Sequence, residues 1–145
     1  EEEVSESKSS NNSELNSIDD RENLKTSEKS ILVIDDNRFF AHSVNKIIKN
    51  YNYKLLFAKD GKEGMKLAAQ YEPNGILLND QLRDMKGLPV IDFLKFNLKT
   101  RHIPVYILAA EDISQEALNK GAIGLSMKPI SLSWIIKQSW SAQRY

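Results

Sequence analysis

Five short stretches of this chain are apolar at every position, and each is followed by a segment whose apolar residues recur at helical spacing. The stretches are Ile31-Leu32-Val33-Ile34, Leu55-Leu56-Phe57-Ala58, Ile76-Leu77-Leu78, Val105-Tyr106-Ile107-Leu108 and Ala122-Ile123-Gly124-Leu125. Side chains alternate across a strand, so a run without a polar face suits a strand covered on both sides, as in a parallel sheet. The helical stripes comprise Phe39, Val44, Ile47 and Ile48, then Met65, Leu67 and Ala68, then Leu88, Ile91, Phe93 and Leu94. The third begins near Pro89, which the first turn of a helix accommodates. A weak fourth covers Ser114 to Asn119, and Leu132, Ile135, Ile136 and Trp140 form the last. Asp60-Gly61, Asn74-Gly75, Lys86-Gly87 and Lys120-Gly121 supply turn signals between them. Alternation of this kind predicts an α/β domain of about 115 residues with a doubly wound five-stranded parallel sheet. Right-handed crossovers in a domain of this size give strand order 2-1-3-4-5.

The pattern starts abruptly. Residues 1–29 hold nine acidic and four basic side chains and no aromatic. Such a segment buries too little apolar surface to offset the entropy of ordering, so a disordered acidic linker is expected there, followed by one domain over 30–145. The chain does not open with Met, which leads us to expect a piece cut from a longer polypeptide, tethered through the linker. Residues 30–145 carry sixteen basic and eleven acidic side chains, without the concentrated basic face that nucleic-acid binding requires. The chain has no cysteine, which excludes disulfides and removes the commonest zinc ligand. No signal peptide and no apolar run long enough to span a bilayer is visible, so a cytoplasmic protein without membrane contact is expected.

In a sheet of this order, the working site lies at the carboxyl ends of the strands, where the order reverses. Those ends carry Asp35-Asp36, Asn79, Ala109 and Lys128. Adjacent acids at a strand end rarely serve packing, because a buried unpaired carboxylate is costly. A cation across the crevice, either Lys128 or a divalent metal, makes them tolerable.

Here the residues carry a family likeness. Ile31 to Asn37 resembles the opening of CheY-like receiver domains, the response-regulator modules of two-component signalling. Ala58-Lys59-Asp60-Gly61 matches the loop after their second strand, and Leu82-Arg83-Asp84-Met85-Lys86-Gly87 resembles their Leu-Pro-Asp-Met-x-Gly loop, with Arg83 in place of proline. Gly121-Ala122 and then Lys128-Pro129 resemble the close of the motif. Arg101-His102-Ile103-Pro104-Val105 and Ser114-Gln115-Glu116-Ala117-Leu118 look most like receivers of hybrid sensor histidine kinases. The likeness spans residues 30–145 and implies the flavodoxin-like (βα)5 fold.

Carried over by position, it implies that Asp35 and Asp36 are the acidic pair that binds Mg²⁺, that Gln81 lends a backbone carbonyl to the metal, and that Lys128 contacts the phosphoryl group. Lys128-Pro129 would carry the family's cis peptide. The phosphoacceptor position is Asn79, where the family has aspartate. The switch hydroxyl falls on Ala109, and the aromatic that rotates on activation falls on Leu125. Phosphoryl transfer needs an anionic oxygen in line with phosphorus, and a neutral amide offers none. Ala109 cannot hydrogen-bond a phosphoryl oxygen. With two carboxylates instead of three, Mg²⁺ binding is expected to be weak or lost, and no cofactor is required. Asp35 and Asp36 then either bind metal weakly or serve only to pair with Lys128.

The expectation is a degenerate receiver, a non-enzymatic pseudo-receiver that acts by protein contact in a phosphorelay and regulates a linked histidine kinase, in cis or in trans. The family's usual partner surfaces lie around the first, fourth and fifth helices. The alternative is a working phosphoacceptor that uses Asp80, or one in which Asn79 is natively aspartate; the joint changes at Ala109 and Leu125 argue against the latter. Were Asn79 to point into the crevice, alternation along the strand would leave Asp80 in the loop beside it, solvated or bonded to backbone amides. His42 and His102 sit in no phosphodonor-like context and are expected at the surface or in packing. Of Trp134 and Trp140, six apart on the last helix, one is expected to pack inward and the other to mark a contact surface.

Overall fold

The first apolar run forms β1 (Lys29–Ile34), and its alternate residues go to opposite faces of one sheet. The structure, a computed structural model, describes residues 19–25, 28–109, 119–121 and 124–127. In it, β1 is followed by α1 (Arg38–Ile48), β2 (Tyr53–Ala58), α2 (Gly61–Tyr71), β3 (Gly75–Asn79), α3 (Gly87–Phe96), β4 (Val105–Ala109) and β5 (Gly124–Met127). All pairings are parallel and the strand order is β2-β1-β3-β4-β5, as the alternating pattern predicts. The fourth and fifth predicted helices, with Trp134 and Trp140, lie outside the described residues, apart from a helical position at Asn119.

The two faces explain the continuous apolar runs. Ile31, Val33, Leu55, Phe57 and Leu77 join Ala41, Val44 and Ile48 of α1 on one side. Leu32, Ile34, Leu56, Ile76 and Leu78 join Leu67 and Ala68 of α2, and Val90, Ile91 and Leu94 of α3, on the other. Each side chain in β1 from Ile31 to Ile34 is fully buried, and burying one aliphatic side chain contributes about 1.5–3 kcal/mol. α2 approaches β1 closely at Gly64, where an added Cβ would stand 2.6 Å from Ile34 Cδ1.

Two local expectations are corrected. Phe39 does not join the buried stripe of α1; it is 67% exposed, because helical spacing turns it away from the face of Ala41, Val44 and Ile48, against which its neighbour Phe40 packs. Phe93 on α3 is likewise largely exposed, and Val90 takes the inward position. In the fifth strand, Gly124 pairs with Tyr106 and Met127 with Ala109; Ala122 and Ile123 of the expected run lie outside the described residues.

The linker boundary also moves. Asp19 to Lys25 were expected to be solvated, yet Asp19, Asp20 and Arg21 hydrogen-bond to β2, and Leu24 packs on the α2 side of the core. Net charge and low hydropathy hid this, because the contacts are polar groups bonding to strand backbone. Among the described residues, no helix is long and apolar enough to cross a membrane.

Candidate functional site

β1 and β3 are neighbours at the point where the strand order reverses, and their carboxyl ends bring Asp35 and Asn79 together. Both are buried, at 2% and 6% exposure. Asp35 follows β1, held by its own amide donating to Ala58 O at 3.0 Å. Its Oδ1 accepts from Asn37 N at 3.0 Å and from Asn79 Nδ2 at 3.2 Å. Asn37 then caps α1, its Oδ1 accepting from Phe39 N at 2.9 Å and Phe40 N at 3.3 Å. Asp36 is exposed beside it.

Asn79 is the hub of this corner. Besides Asp35, its Nδ2 donates to the backbone carbonyl of Gln81 at 3.0 Å. The amide orientation follows from those partners. Rotating it would aim Asn79 Oδ1 at a carboxylate oxygen and a carbonyl oxygen, neither of which can donate. The two oxygens that Asn79 bridges, Asp35 Oδ1 and Gln81 O, belong to the set the sequence assigned to Mg²⁺. Their lone pairs are engaged by N–H groups, so the donor set does not fit a hard cation without displacing the amide. Among the described residues, no cluster of three His, Cys, Asp or Glu side chains has the arrangement of a metal site.

The loop after β3 is closed by its own hydrogen bonds. Gln81 pairs with Lys86 in an antiparallel bridge, Leu82 N donates to Met85 O at 3.1 Å, and Gly87 N donates to Asp80 O at 2.7 Å. Gly87 is required where α3 begins, since a Cβ there would stand 3.0 Å from Asp80 Cα. The loop is also clasped to α2: Asp84 accepts from Gly61 N at 2.8 Å and from Lys62 N at 3.0 Å. Desolvation pushes the Asp84 carboxyl upward, but these two amides and the Lys62 charge outweigh it and hold its pKa below the usual value. Asp60 caps the same helix by accepting from Glu63 N at 2.9 Å. The clasp was absent from the sequence reading, although Asp84 stood inside a quoted motif; an acid there reads equally well as solvated.

Asp80 departs from expectation. It is buried, at 7% exposure, rather than solvated, and its Oδ2 accepts from the side-chain amide Gln81 Nε2 at 2.9 Å rather than from backbone N–H groups. Its own amide donates to Leu108 O at 2.8 Å, so β3 keeps its register through this position. Ala109 ends β4, one residue past the Asn79–Leu108 pair, and its backbone pairs with Met127. The Leu125 backbone pairs with Ile107 in β5; Lys128 lies outside the described residues. His42 and His102 are both exposed, and no hydrogen bond joins either to the corner of Asp35 and Asn79.

Over residues 31–138 the chain matches the response regulator receiver domain. It belongs to that family. The receiver is 30% identical over 112 residues to the polar-differentiation response regulator DivK of Brucella ovis and of Brucella melitensis, covering 75% of this chain and 91% of each relative. In fold it is similar to the chemotaxis response regulator CheY4 of Vibrio cholerae, with TM-score 0.70, 21% identity, and coverage of 77% of this chain and 96% of that one. It is also similar to the Francisella response regulator 1452 receiver domain, with TM-score 0.69, 24% identity, and coverage of 76% and 92%. Receivers of this family are regulatory modules of two-component signalling rather than catalytic domains, and they work through other proteins, histidine kinases among them.

Proposed function

We propose that this receiver is a pseudo-receiver, which signals by contact and without taking up phosphate. The observation that carries the reading is the double donation from Asn79 Nδ2 to Asp35 Oδ1 and Gln81 O. A phosphoacceptor must offer an anionic oxygen to phosphorus, and Asn79 offers a neutral amide whose N–H groups already face the acidic residue and the loop. The amide draws the β1 and β3 ends together, as a cation between the same oxygens would. On this reading the pocket expected from Asp35, Asp36, Asn79, Ala109 and Lys128 takes up no phosphate, and the Asn79 bridge holds one arrangement of the loop. Mg²⁺ is not required and binds weakly if at all.

Such a domain has a fixed contact surface. The partner we propose is a histidine kinase, reached in cis through the upstream residues or in trans, with no nucleic acid involved. The likeness of Arg101 to Val105 and of Ser114 to Leu118 to receivers of hybrid kinases favours the arrangement in cis. Phosphorylation on Asp80 is the weaker alternative. Its carboxylate is turned to Gln81 Nε2, while that of Asp35 is turned to Asn79, and freeing it for the pocket means breaking the amide's bond to Leu108 O or the pairing beside it.

Incubation with acetyl phosphate and Mg²⁺, followed by intact-mass measurement, tests the reading. The mass is expected to stay unchanged. An added phosphate that is acid-stable but labile to base and hydroxylamine would overturn it.

A further inference from the structure

β2 is the edge strand of the sheet, and an edge presents unpaired N–H and C=O groups that can template pairing with another chain. In this molecule residues 19–21 take up the outward groups of Leu55 and Phe57. Asp20 N donates to Leu55 O at 2.8 Å, and Leu55 N donates to Asp20 Oδ2 at 2.7 Å. Phe57 N donates to Asp19 Oδ2 at 2.8 Å, and Arg21 Nη2 donates to Phe57 O at 2.8 Å. Three of the four bonds use side chains, so the segment is not a further strand. It seals the edge with carboxylates where the strand donates and with an amide and a guanidinium where it accepts.

The segment is braced on three sides. Arg21 Nη2 also donates to Asp19 Oδ2 at 2.7 Å, which fixes the two side chains against each other. Lys49 Nζ reaches Asp20 Oδ2 at 3.2 Å from the turn after α1, and Arg21 Nη1 lies 3.7 Å from Glu63 Oε2 on α2. Leu24 adds an apolar contact on the α2 face of the sheet.

We infer that residues 19–21 are a detachable strap that sets where the upstream chain leaves the domain and how far it can reach. With the strap docked, the chain departs from the edge of β2. With it released together with the Leu24 contact, departure moves to Lys29 at the start of β1, ten residues further along from Asp19. Ten residues extend to at most about 33–36 Å, and as a flexible coil they span roughly 16–19 Å. The change is of domain size, and it resets the effective concentration of the domain towards anything attached upstream. The net gain of each hydrogen bond is similar in size to the entropy lost in ordering one residue, so the docked state is held by a small surplus and release is accessible. Among the described residues the strap bonds to β2, Lys49 and Glu63 and not to Asp35 or Asn79, so the inference stands apart from the state of Asn79.

The chain lacks cysteine, so spin labels can be placed at Glu22→Cys and Lys66→Cys, both exposed, in the full 145-residue protein. One narrow distance distribution is expected. Adding Asp19→Ala and Asp20→Ala should broaden it towards longer distances. The same pair should raise amide exchange at Leu55 and Phe57 roughly tenfold or more, with Ile31 and Val33 in β1 unchanged. Should the double variant fail to fold, Arg21→Ala, which removes the bond to Phe57 O, serves with the same readouts. A broad distribution before any strap substitution would overturn the inference, and so would a narrow one that survives these substitutions with unchanged exchange.

Discussion

Replacing Asn79 with aspartate changes one atom of consequence, the Nδ2 that bridges Asp35 Oδ1 and Gln81 O. In the Asn79→Asp variant two donated hydrogen bonds disappear and an anionic oxygen faces Asp35 Oδ1 at about the separation now bridged, 3.2 Å. At an effective dielectric constant near 20, two unit charges that close repel by about 5 kcal/mol. Relaxation of the loop and hydration through exposed Asp36 recover part of this. We therefore expect a deficit of about 2–4 kcal/mol at pH 7 in EDTA. With a urea slope near 1.5 kcal/mol/M, that lowers the unfolding midpoint by about 2 M.

Magnesium separates this from a general packing defect. Metal at twentyfold its dissociation constant returns about 2 kcal/mol to a folded state that binds it, so the variant's midpoint should rise on adding Mg²⁺ while that of the natural chain barely moves. Closely placed carboxylates share a proton, which raises the folded pKa of the pair. The deficit is thus largest at neutral pH and narrows as pH falls towards about 5. Urea unfolding followed by circular dichroism, with EDTA or Mg²⁺ at both pH values, reads all four conditions. If the natural chain gains as much from Mg²⁺ as the variant, Asn79 is no substitute for a cation and the reasoning fails.

Three smaller perturbations probe the surroundings. Asp84→Ala removes the clasp on the α2 amino terminus and should cost about 1 kcal/mol at pH 7, as loss of a helix cap does. The folded pKa of Asp84 is lowered, so its contribution is present above the unfolded value and is lost as pH falls through the folded one; the variant and the natural chain should converge in urea midpoint once pH lies below that folded value. Gly64→Ala sets a Cβ against Ile34 and should destabilise by about 1–2 kcal/mol, overpacking outweighing the gain in helix propensity, as thermal unfolding would report. Asp80→Asn keeps an acceptor for Gln81 Nε2 and should shift the urea midpoint by less than ~0.5 M.

The fold was legible because burial on both faces leaves no polar position in Ile31–Ile34, Leu55–Ala58 or Ile76–Leu78, and few other arrangements tolerate such runs. The site was legible as a set of positions, since Asp35, Asn79 and Gln81 fall at strand ends that only this order brings together. What escaped was everything governed by the orientation of polar groups. Asp84 and Asp19 look like any exposed acids in sequence, and only the backbone amides they meet distinguish them. Asp80 was expected in water because loops usually are; its burial follows from Gly87 folding α3 back over it, with Gly87 N bonded to Asp80 O. Phe39 shows the converse error, an apolar residue assigned to the helical stripe although its spacing from Ala41 and Val44 turns it outward.

The choice of asparagine at position 79 is itself informative. An alanine would also lack an anionic oxygen, but it would remove the bridge between Asp35 Oδ1, which would keep the bond from Asn37 N, and Gln81 O, which would lose the amide donor. A serine carries a single O–H and can serve one of the two. Asparagine is isosteric with aspartate and presents two N–H groups at one nitrogen, enough for both oxygens. The residue that the proposed reading takes as a lost nucleophile therefore also supplies a bridge to the β3–α3 loop, with Asp84 and Gly87 fixing the loop's far end. On the proposed reading, a receiver held in this way dispenses with the phosphate-dependent step and keeps a defined surface, which is the physical requirement for a domain that regulates by contact alone.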